Sequence, residues 1–235
     1  MIYILNMSVR SIKFENGEYY HIYNRGTDKR KIFGDKNDIW RFIKGVLIFN
    51  RLNPIGSIRE ELGENLISRG KASGDFKELV DLSGELVEFV CFCLNLNHYH
   101  FLVKQVSDDG ISKFMHRLGT GYTGYFNEKN KRSGALFQGK FKAVHIESNE
   151  QLLYTSAYVN LNDKIHGIND DDKELVFSSW NEYLGKNKTV NICKGKNMIL
   201  GQYGNLGEYK EFAESVAEST KDLKKEKIIQ NDYLE

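Results

Sequence analysis

The most apolar part of the chain, residues 85–106, reads ELVEFVCFCLNLNHYHFLVKQV. It contains two runs rich in branched and aromatic residues, and only Asn95–Asn97 separate them. Two such runs around a short polar turn predict a β-hairpin. The fold therefore has to include a sheet with these two antiparallel strands as neighbours.

The segments on either side of this hairpin alternate between strand and helix patterns. Their order favours an α+β fold, in which an antiparallel sheet carries helices packed mainly on one face. Pro54 is expected to stop the first helix, and the S-x-x-Q capping box at Ser148 and Gln151 is expected to start the last helix of the core. The predicted elements are a strand at 18–26, a helix at 35–53, strands at 85–94 and 98–106, a helix at 111–126, a strand within 134–147 and a helix from 148.

Two segments fall outside this pattern. Residues 55–83 are charged, rich in glycine and without clear periodicity, and we predict an insertion or flexible loop there. The pattern also weakens after residue 169. We therefore predict one domain over residues 1–168 and a partly helical C-terminal extension over 169–235.

The charge of the chain is unevenly distributed. The net charge is only +1, which argues against a strongly basic nucleic-acid binder. Residues 111–145, however, contain seven basic residues and only one acidic residue, and a second basic group lies earlier in the chain. Such local basic stretches are typical either of phosphate contact or of a solvated helix face. The two groups are Lys113, Arg117, Lys129, Lys131, Arg132, Lys140 and Lys142, and Arg25, Lys29, Arg30 and Lys31.

The cysteines and the termini bear on where the protein resides. The three cysteines form no CxxC pair, and Cys91 and Cys93 share one face of a predicted strand. We find no signal-peptide pattern and no apolar run of the length of a membrane span. We therefore expect a cytoplasmic protein without a membrane segment.

The sequence HYH at the start of the second hairpin strand is the first candidate site. Side chains at i and i+2 of a strand point the same way, so His98 and His100 are expected on one face of the sheet and Tyr99 on the other. Two convergent imidazoles are half of a divalent-metal site. Taken alone, the same pair also fits a structural or accidental arrangement.

The last helix of the core offers a second set of side chains. Tyr154, Tyr158 and Asn162 are spaced by four residues and are expected to share one helix face. If this face lies on the sheet, a phenol and an amide oxygen approach the two histidines. A phenol beside a metal-polarised phosphate can attack phosphorus and become covalently linked. The alternative is that both tyrosines are core aromatics.

Several motifs together resemble one family. HYH after a strand, SGALFQGKFKAVHIES and LLYTSAYVNLN, in this order, are similar to the REP-associated tyrosine transposases, which belong to the single-tyrosine HUH transposases of the insertion-sequence type. YYHIYNRGTDKRKIF and FMHRLGTGYTGYFNEKNKRSG also resemble that family, so the likeness covers roughly Glu18 to Gly167. FSSWNEYLG and YGNLGEYKEF resemble its C-terminal extension.

This resemblance implies a ferredoxin-like HUH nuclease domain that nicks and rejoins single-stranded DNA, with hairpin-forming repeat ends as the substrate. It implies that Tyr158 attacks the scissile phosphate to give a 5′-phosphotyrosine, and that His98, His100 and Asn162 hold Mg²⁺ or Mn²⁺. Asn162 itself favours the REP-associated branch. The residues expected to contact DNA are Arg25, Lys29, Arg30, Lys129, Lys131, Arg132, Lys140 and Lys142.

Alternatives remain at this point. NDKIHG stands where the family usually has NPVRAG, so the proline associated with a helix stop and the arginine associated with one phosphate contact are absent. The chain could be a non-catalytic DNA-binding protein of the same fold, a hydrolase that uses water, or an oligomerisation module with buried histidines. Both a monomer and a homodimer are compatible with the sequence.

Overall fold

The computed structural model describes residues 12–53, 84–168, 170–186 and 191–232. The insertion predicted at 55–83 lies outside these residues. Five strands form one sheet in the order β4-β1-β3-β2-β5, and all their pairings are antiparallel. The strands are β1 (Tyr19–Arg25), β2 (Val87–Asn95), β3 (His98–Gln105), β4 (Lys142–His145) and β5 (Phe177–Ser178).

Seven α-helices are described in these ranges: α1 (Lys36–Phe49), α2 (Gly110–Lys129), α3 (Asn149–Asn160), α4 (Asn162–His166), α5 (Trp180–Tyr183), α6 (Asn197–Leu200) and α7 (Leu206–Asp232). Among the described strands and α-helices, the first six run β1-α1-β2-β3-α2-β4, and β1 to β4 lie side by side as 4-1-3-2. This is the ferredoxin-like arrangement of an α+β fold, which confirms the predicted fold class.

The hairpin of β2 and β3 is tighter than predicted. Asn95 pairs with His98, so the loop consists only of Leu96 and Asn97, and Asn95 belongs to the strand. The side chain of Asn95 therefore points to a defined face of the sheet, the same face as that of His98. This difference from the predicted three-residue turn matters for the site.

One face of the sheet carries the main aromatic core. The helices α1 and α2 cover it, with Phe42 of α1 against Tyr99 and Phe114 of α2 against Phe101. Tyr99 is thus buried on this face, as the alternation along β3 predicts. In a core of interlocked aromatic rings of this kind, each ring contributes large apolar burial.

Helix α1 ends earlier than Pro54 led us to expect. The last helical residue is Phe49, and the side chain of Asn50 then forms two hydrogen bonds with the backbone of Val87, at 2.8 and 2.9 Å. The buried amide of Asn50 thus pairs with both the N–H and the C=O group of Val87 at the start of β2. This contact holds the chain at residue 50 in a non-helical conformation. The stop therefore comes from a tertiary contact and not from the proline.

The opposite face of the sheet is covered by α3. Ser148 caps this helix by accepting a hydrogen bond from the Gln151 backbone, as the capping box predicts. The helix was expected to continue through Asn162, but Leu161 leaves the helical conformation, with φ −113° and ψ 22°. A separate short helix, α4, follows from Asn162.

The C-terminal extension is helical, as predicted, and packs directly on α3. The buried phenol of Tyr209 in α7 receives a hydrogen bond from Asn160 Nδ2 at 2.9 Å and lies 3.2 Å from Ser156 Oγ. Asn160 Oδ1 in turn accepts a hydrogen bond from Ser179, which is bonded to the backbone of β2. One buried polar network therefore ties α3, α7 and the sheet together.

Candidate active site

The strand register places both histidines of HYH on the face covered by α3. His98 lies opposite Arg25 of β1, and His100 lies opposite Tyr23. Directly opposed residues of an antiparallel pair share a face, so β1 contributes Tyr23 and Arg25 to the same surface. The two imidazole rings meet edge to face with their centroids 5.1 Å apart.

Three asparagines surround His98. Its Nδ1 lies 2.6 Å from Asn97 Oδ1, and because that oxygen can only accept, Nδ1 carries the proton. The other nitrogen, Nε2, therefore has the free lone pair and lies 3.2 Å from Asn162 Oδ1, a second acceptor. Asn95 Nδ2 donates to both of these atoms, at 3.0 and 2.7 Å. His98 Nε2 and Asn162 Oδ1 are thus two acceptors that lie close together, and the amide group of Asn95 donates to both.

His100 has a partner that the sequence did not reveal. His21 Nε2 lies 2.8 Å from His100 Nδ1, and the two rings are stacked at 5.1 Å. His21 is buried, and its Nδ1 has no hydrogen-bond partner among the described residues. If His100 donates through Nδ1, its Nε2 is free to bind a cation, and His21 fixes the orientation of the ring.

Burial keeps these imidazoles neutral. It lowers the pKa of His98 below the usual value, and it lowers the pKa of His100 well below that value, with the neighbouring His21 adding to the effect. Burial also lowers the pKa of His21 to about 4. A neutral imidazole has the lone pair that a metal ligand needs.

The structure distinguishes between the two tyrosines of α3. The ring of Tyr158 meets His100 edge to face at 5.7 Å and His21 at 6.0 Å. The phenol of Tyr154 instead lies 3.0 Å from Thr220 Oγ1 of α7. Burial raises the pKa of the Tyr158 phenol, so it is protonated at neutral pH. Tyr158 is therefore the phenol beside the histidines.

The structure also distinguishes between Asn160 and Asn162, the two asparagines of the sequence YVNLN. Asn160 is taken up by the network around Tyr209, whereas Asn162 faces His98. Asn162 is fully buried, and its Nδ2 has no hydrogen-bond partner among the described residues. The break at Leu161 separates the two residues, so the shared helix face predicted for Tyr154, Tyr158 and Asn162 is not a continuous one.

The donor set fits a divalent cation. His98 Nε2 and Asn162 Oδ1 already face one another across 3.2 Å, and the His100 ring lies beside His98. All three side chains are neutral donors of nitrogen or oxygen. Within the described ranges, no three His, Cys, Asp or Glu side chains form a group that could hold a metal ion, so the proposed set depends on the amide oxygen.

The basic residues predicted to contact DNA fall into three groups. Arg25 and Lys142 lie on the face of the histidines, because Lys142 is opposite Tyr23 and Arg25 is opposite His98. Lys129 is paired with Asp35 and Asp38, which neutralise its charge. The remaining residues carry exposed or partly exposed side chains on turns at the end of β1, after α2 and before β4: Lys29, Arg30, Lys131, Arg132 and Lys140.

Three residues near the site were missed at the level of sequence. His21 belongs to the predicted strand 18–26, and its alternation with Tyr23 could have placed it on the face of Tyr23. His166 has its ring 4.9 Å from that of His98, and Lys224 has its ammonium 3.1 Å from His166 Nε2. Nothing in the spacing of residues 166 and 224 indicates that they meet.

The family model described as IS200-like transposase matches residues 80–162. Among solved structures, the chain is similar to a REP-associated tyrosine transposase bound to a REP hairpin, with 11% identity over 80% of this chain and 90% of that chain and a TM-score of 0.49. It is also similar to tRNA(His) guanylyltransferase from Saccharomyces cerevisiae, with 9% identity over 82% and 80% and a TM-score of 0.30.

No curated protein matches the chain. Of the described helices, none combines the length and the apolar character needed to cross a membrane. The matched segment contains His98, His100, Tyr158 and Asn162. Residues 80–162 thus match the IS200-like transposases, which confirms the family resemblance that the motifs predicted.

Proposed function

We propose that this protein is a metal-dependent single-stranded DNA transposase that nicks and rejoins DNA through a 5′-phosphotyrosine on Tyr158. The observation that supports it most directly is the convergence of one phenol, two neutral imidazoles and one amide oxygen on the same face of the sheet. Tyr158 lies 5.7 Å from His100 between ring centroids, and Asn162 lies 3.2 Å from His98. The substrate class proposed from the motifs is DNA with hairpin-forming repeat ends.

In the proposed reaction, Tyr158 Oη forms a bond to the scissile phosphorus while the bond from phosphorus to the 3′ oxygen breaks. The phenol releases its proton to solvent, and the departing 3′ oxygen takes one up, so the protons balance. One phosphodiester replaces another, and rejoining therefore needs no ATP. His21 and His100 contact the Tyr158 ring and hold it in place for the attack.

His98, His100 and Asn162 would hold the cation, which when bound polarises the scissile phosphate and stabilises the departing oxygen. Two of the three ligands are imidazole nitrogens, whereas Mg²⁺ prefers oxygen. We therefore expect Mn²⁺ to bind more tightly than Mg²⁺ to the isolated protein.

The His21–His100 pair provides a prediction for this cation site. His21→Phe keeps a buried ring but removes the nitrogen that orients His100, and we expect the affinity for Mn²⁺ to fall about 10–100-fold. Isothermal titration calorimetry measures this change. His145→Phe, on the edge strand β4, is the matched control. Equal affinities of the two variants would show that His21 does not support the cation site.

The turn after α2 provides a second prediction. Lys131 is exposed, and Arg132 is partly exposed with its guanidinium bonded to Asn127 and Ala135. If both contact phosphates, replacing them with alanine weakens binding to all single-stranded sequences alike and reduces the salt slope by about 0.7 for each lost contact. Fluorescence anisotropy at several salt concentrations measures both effects.

The control for this experiment removes the same charge elsewhere. Lys113→Ala with Lys210→Ala takes away two cations, one at the start of α2 and one on α7. We expect this double variant to keep a slope close to that of the original protein. A slope that falls equally in both double variants would assign the effect to net charge and not to a phosphate contact at Lys131 and Arg132.

The proposed function is tested by following each end of a labelled hairpin. Incubation with Mn²⁺ should transfer the 3′-labelled fragment to the protein in a denaturation-resistant adduct, because Tyr158 retains the 5′ phosphate. The 5′-labelled fragment should be released with a free 3′-hydroxyl. Cleavage without any adduct would indicate a hydrolase that uses water, and binding without cleavage would indicate a non-catalytic DNA-binding protein.

A further inference from the structure

The C-terminal helix α7 approaches the reacting phenol in two successive contacts. Thr220 meets Tyr154, with 3.0 Å between their hydroxyl oxygens, and Lys224, one turn further along α7, meets Tyr158, which is one turn further along α3. The Lys224 ammonium lies 5.9 Å from the centre of the Tyr158 ring. The buried network around Tyr209 anchors the same helix on α3. The packing of α7 on α3 therefore positions Lys224 beside Tyr158.

The only hydrogen bond described for the Lys224 ammonium goes to a neutral partner. It donates to His166 Nε2 at 3.1 Å, and the His166 ring in turn lies 4.9 Å from the ring of His98. Of the carboxylates that the structure describes, none pairs with Lys224, whereas Lys129 and Lys164 both have acidic partners. The side chain is half-buried, so its charge is only partly screened by water.

The four side chains that the proposed function places at the reacting phosphate carry no charge of their own, so positive charge there has to come from the bound cation and from nearby basic residues such as Arg25 of β1. His98, His100, Asn162 and Tyr158 are all neutral when the phenol is protonated. When the phenol oxygen adds to phosphorus, negative charge builds up on the non-bridging phosphate oxygens. A fixed cation next to those oxygens stabilises the transition state more than the ground state.

We propose that Lys224 binds a non-bridging oxygen of the scissile phosphate while Tyr158 attacks, and that His166 acts as a positioning residue for Lys224. This inference rests on the proposed function. It gives the C-terminal extension a part in the chemistry, because Lys224 and His166 both lie beyond the segment that matches the family model. Lys224 stays bound to the phosphate after the bond to the 3′ oxygen has broken, and so also assists the reverse, joining step.

The test compares single-turnover rates of adduct formation with the full chain, labelled hairpin DNA and Mn²⁺. Lys224→Met keeps the apolar stem and removes the charge, and we expect the rate to fall roughly 100-fold. Lys224→Arg should restore most of the rate, and Lys210→Met, on an exposed part of the same helix, should leave it unchanged. Affinity for the DNA should change much less than the rate.

A second comparison separates a phosphate contact from a structural role. A methylphosphonate at the scissile position replaces one non-bridging oxygen with a methyl group, and its two diastereomers replace one or the other oxygen. With the diastereomer that lacks the oxygen bound by Lys224, the original protein and Lys224→Met should react at similar rates. A 100-fold penalty that is the same for the phosphate and both diastereomers would contradict the proposal.

Different outcomes overturn the role of Lys224 and the proposed function. If the original protein forms the adduct and Lys224→Met reacts as fast as Lys210→Met, the role of Lys224 is wrong and the proposed function stands. If the original protein forms no adduct with any hairpin tested, the proposed function is wrong, and the role of Lys224 falls with it.

Discussion

Tyr158→Phe is expected to abolish the covalent protein–DNA adduct, while folding and DNA binding remain close to those of the original protein. The substitution removes the attacking oxygen but keeps the ring that packs against His21 and His100. Loss of a nucleophile from a catalytic unit lowers the rate by up to about 10⁶-fold. The measurement is a denaturing gel of the protein with labelled hairpin DNA, next to melting and binding curves.

Tyr154→Phe is the matched control, because it removes a phenol oxygen one turn away on the same helix. That oxygen lies 3.0 Å from Thr220 Oγ1, so its loss costs about 1 kcal/mol of stability and leaves the adduct intact. An adduct that persists in Tyr158→Phe and disappears in Tyr154→Phe would show that the nucleophile lies on the other turn of α3.

The second large effect concerns the cation. Replacing both His98 and His100 with alanine should remove metal-dependent cleavage and any rise in melting temperature on addition of Mn²⁺. A ligand at 100 times its Kd stabilises a protein by about 2.7 kcal/mol. For a chain of this size, that amounts to a rise of roughly 5–10 °C in the original protein.

The control for this experiment removes two histidines elsewhere. His116 is exposed on α2, and His145 lies on the edge strand β4, where it contacts Glu18. Alanine at both positions should leave the Mn²⁺-induced rise in place. If the variant without His98 and His100 still melts higher with Mn²⁺, the cation binds at other side chains.

Local pattern was sufficient to predict most of the fold. The alternation along HYHFLVKQ places His98 and His100 on one face and Tyr99 on the other, and the register of β1 with β3 agrees. The capping box at Ser148 likewise marks the start of α3. These features depend on residues that are close in sequence, so periodicity and capping rules determine them.

The parts that could not be predicted depend on contacts between distant residues. The end of α1 is set by Asn50, which bonds to Val87, 37 residues further on. Lys129, one of the residues predicted to contact DNA, is paired with Asp35, the N-cap of α1, and with Asp38 in its first turn, and nothing in the sequence indicated these ion pairs. No rule of local spacing relates these positions, because the fold alone brings them together.

The same distinction applies within the candidate site. His98, His100 and Tyr158 follow from motifs of a few residues. His21 and Lys224 reach the same place from β1 and α7, at separations that only the sheet order and the docking of α7 define. We therefore expect the side chains that tune this site to be found outside the motifs that identify it.

If Tyr158 is the nucleophile, its oxygen becomes bonded to the 5′ phosphate of the cleaved strand. The most direct measurement is mass spectrometry of the protease-digested adduct formed with a single-stranded hairpin and Mn²⁺. We expect one modified peptide, which contains Tyr158 and carries a nucleotide joined through its 5′ phosphate. A nucleotide found on Tyr154 or on any other residue, or joined through a 3′ phosphate, would contradict this role of Tyr158.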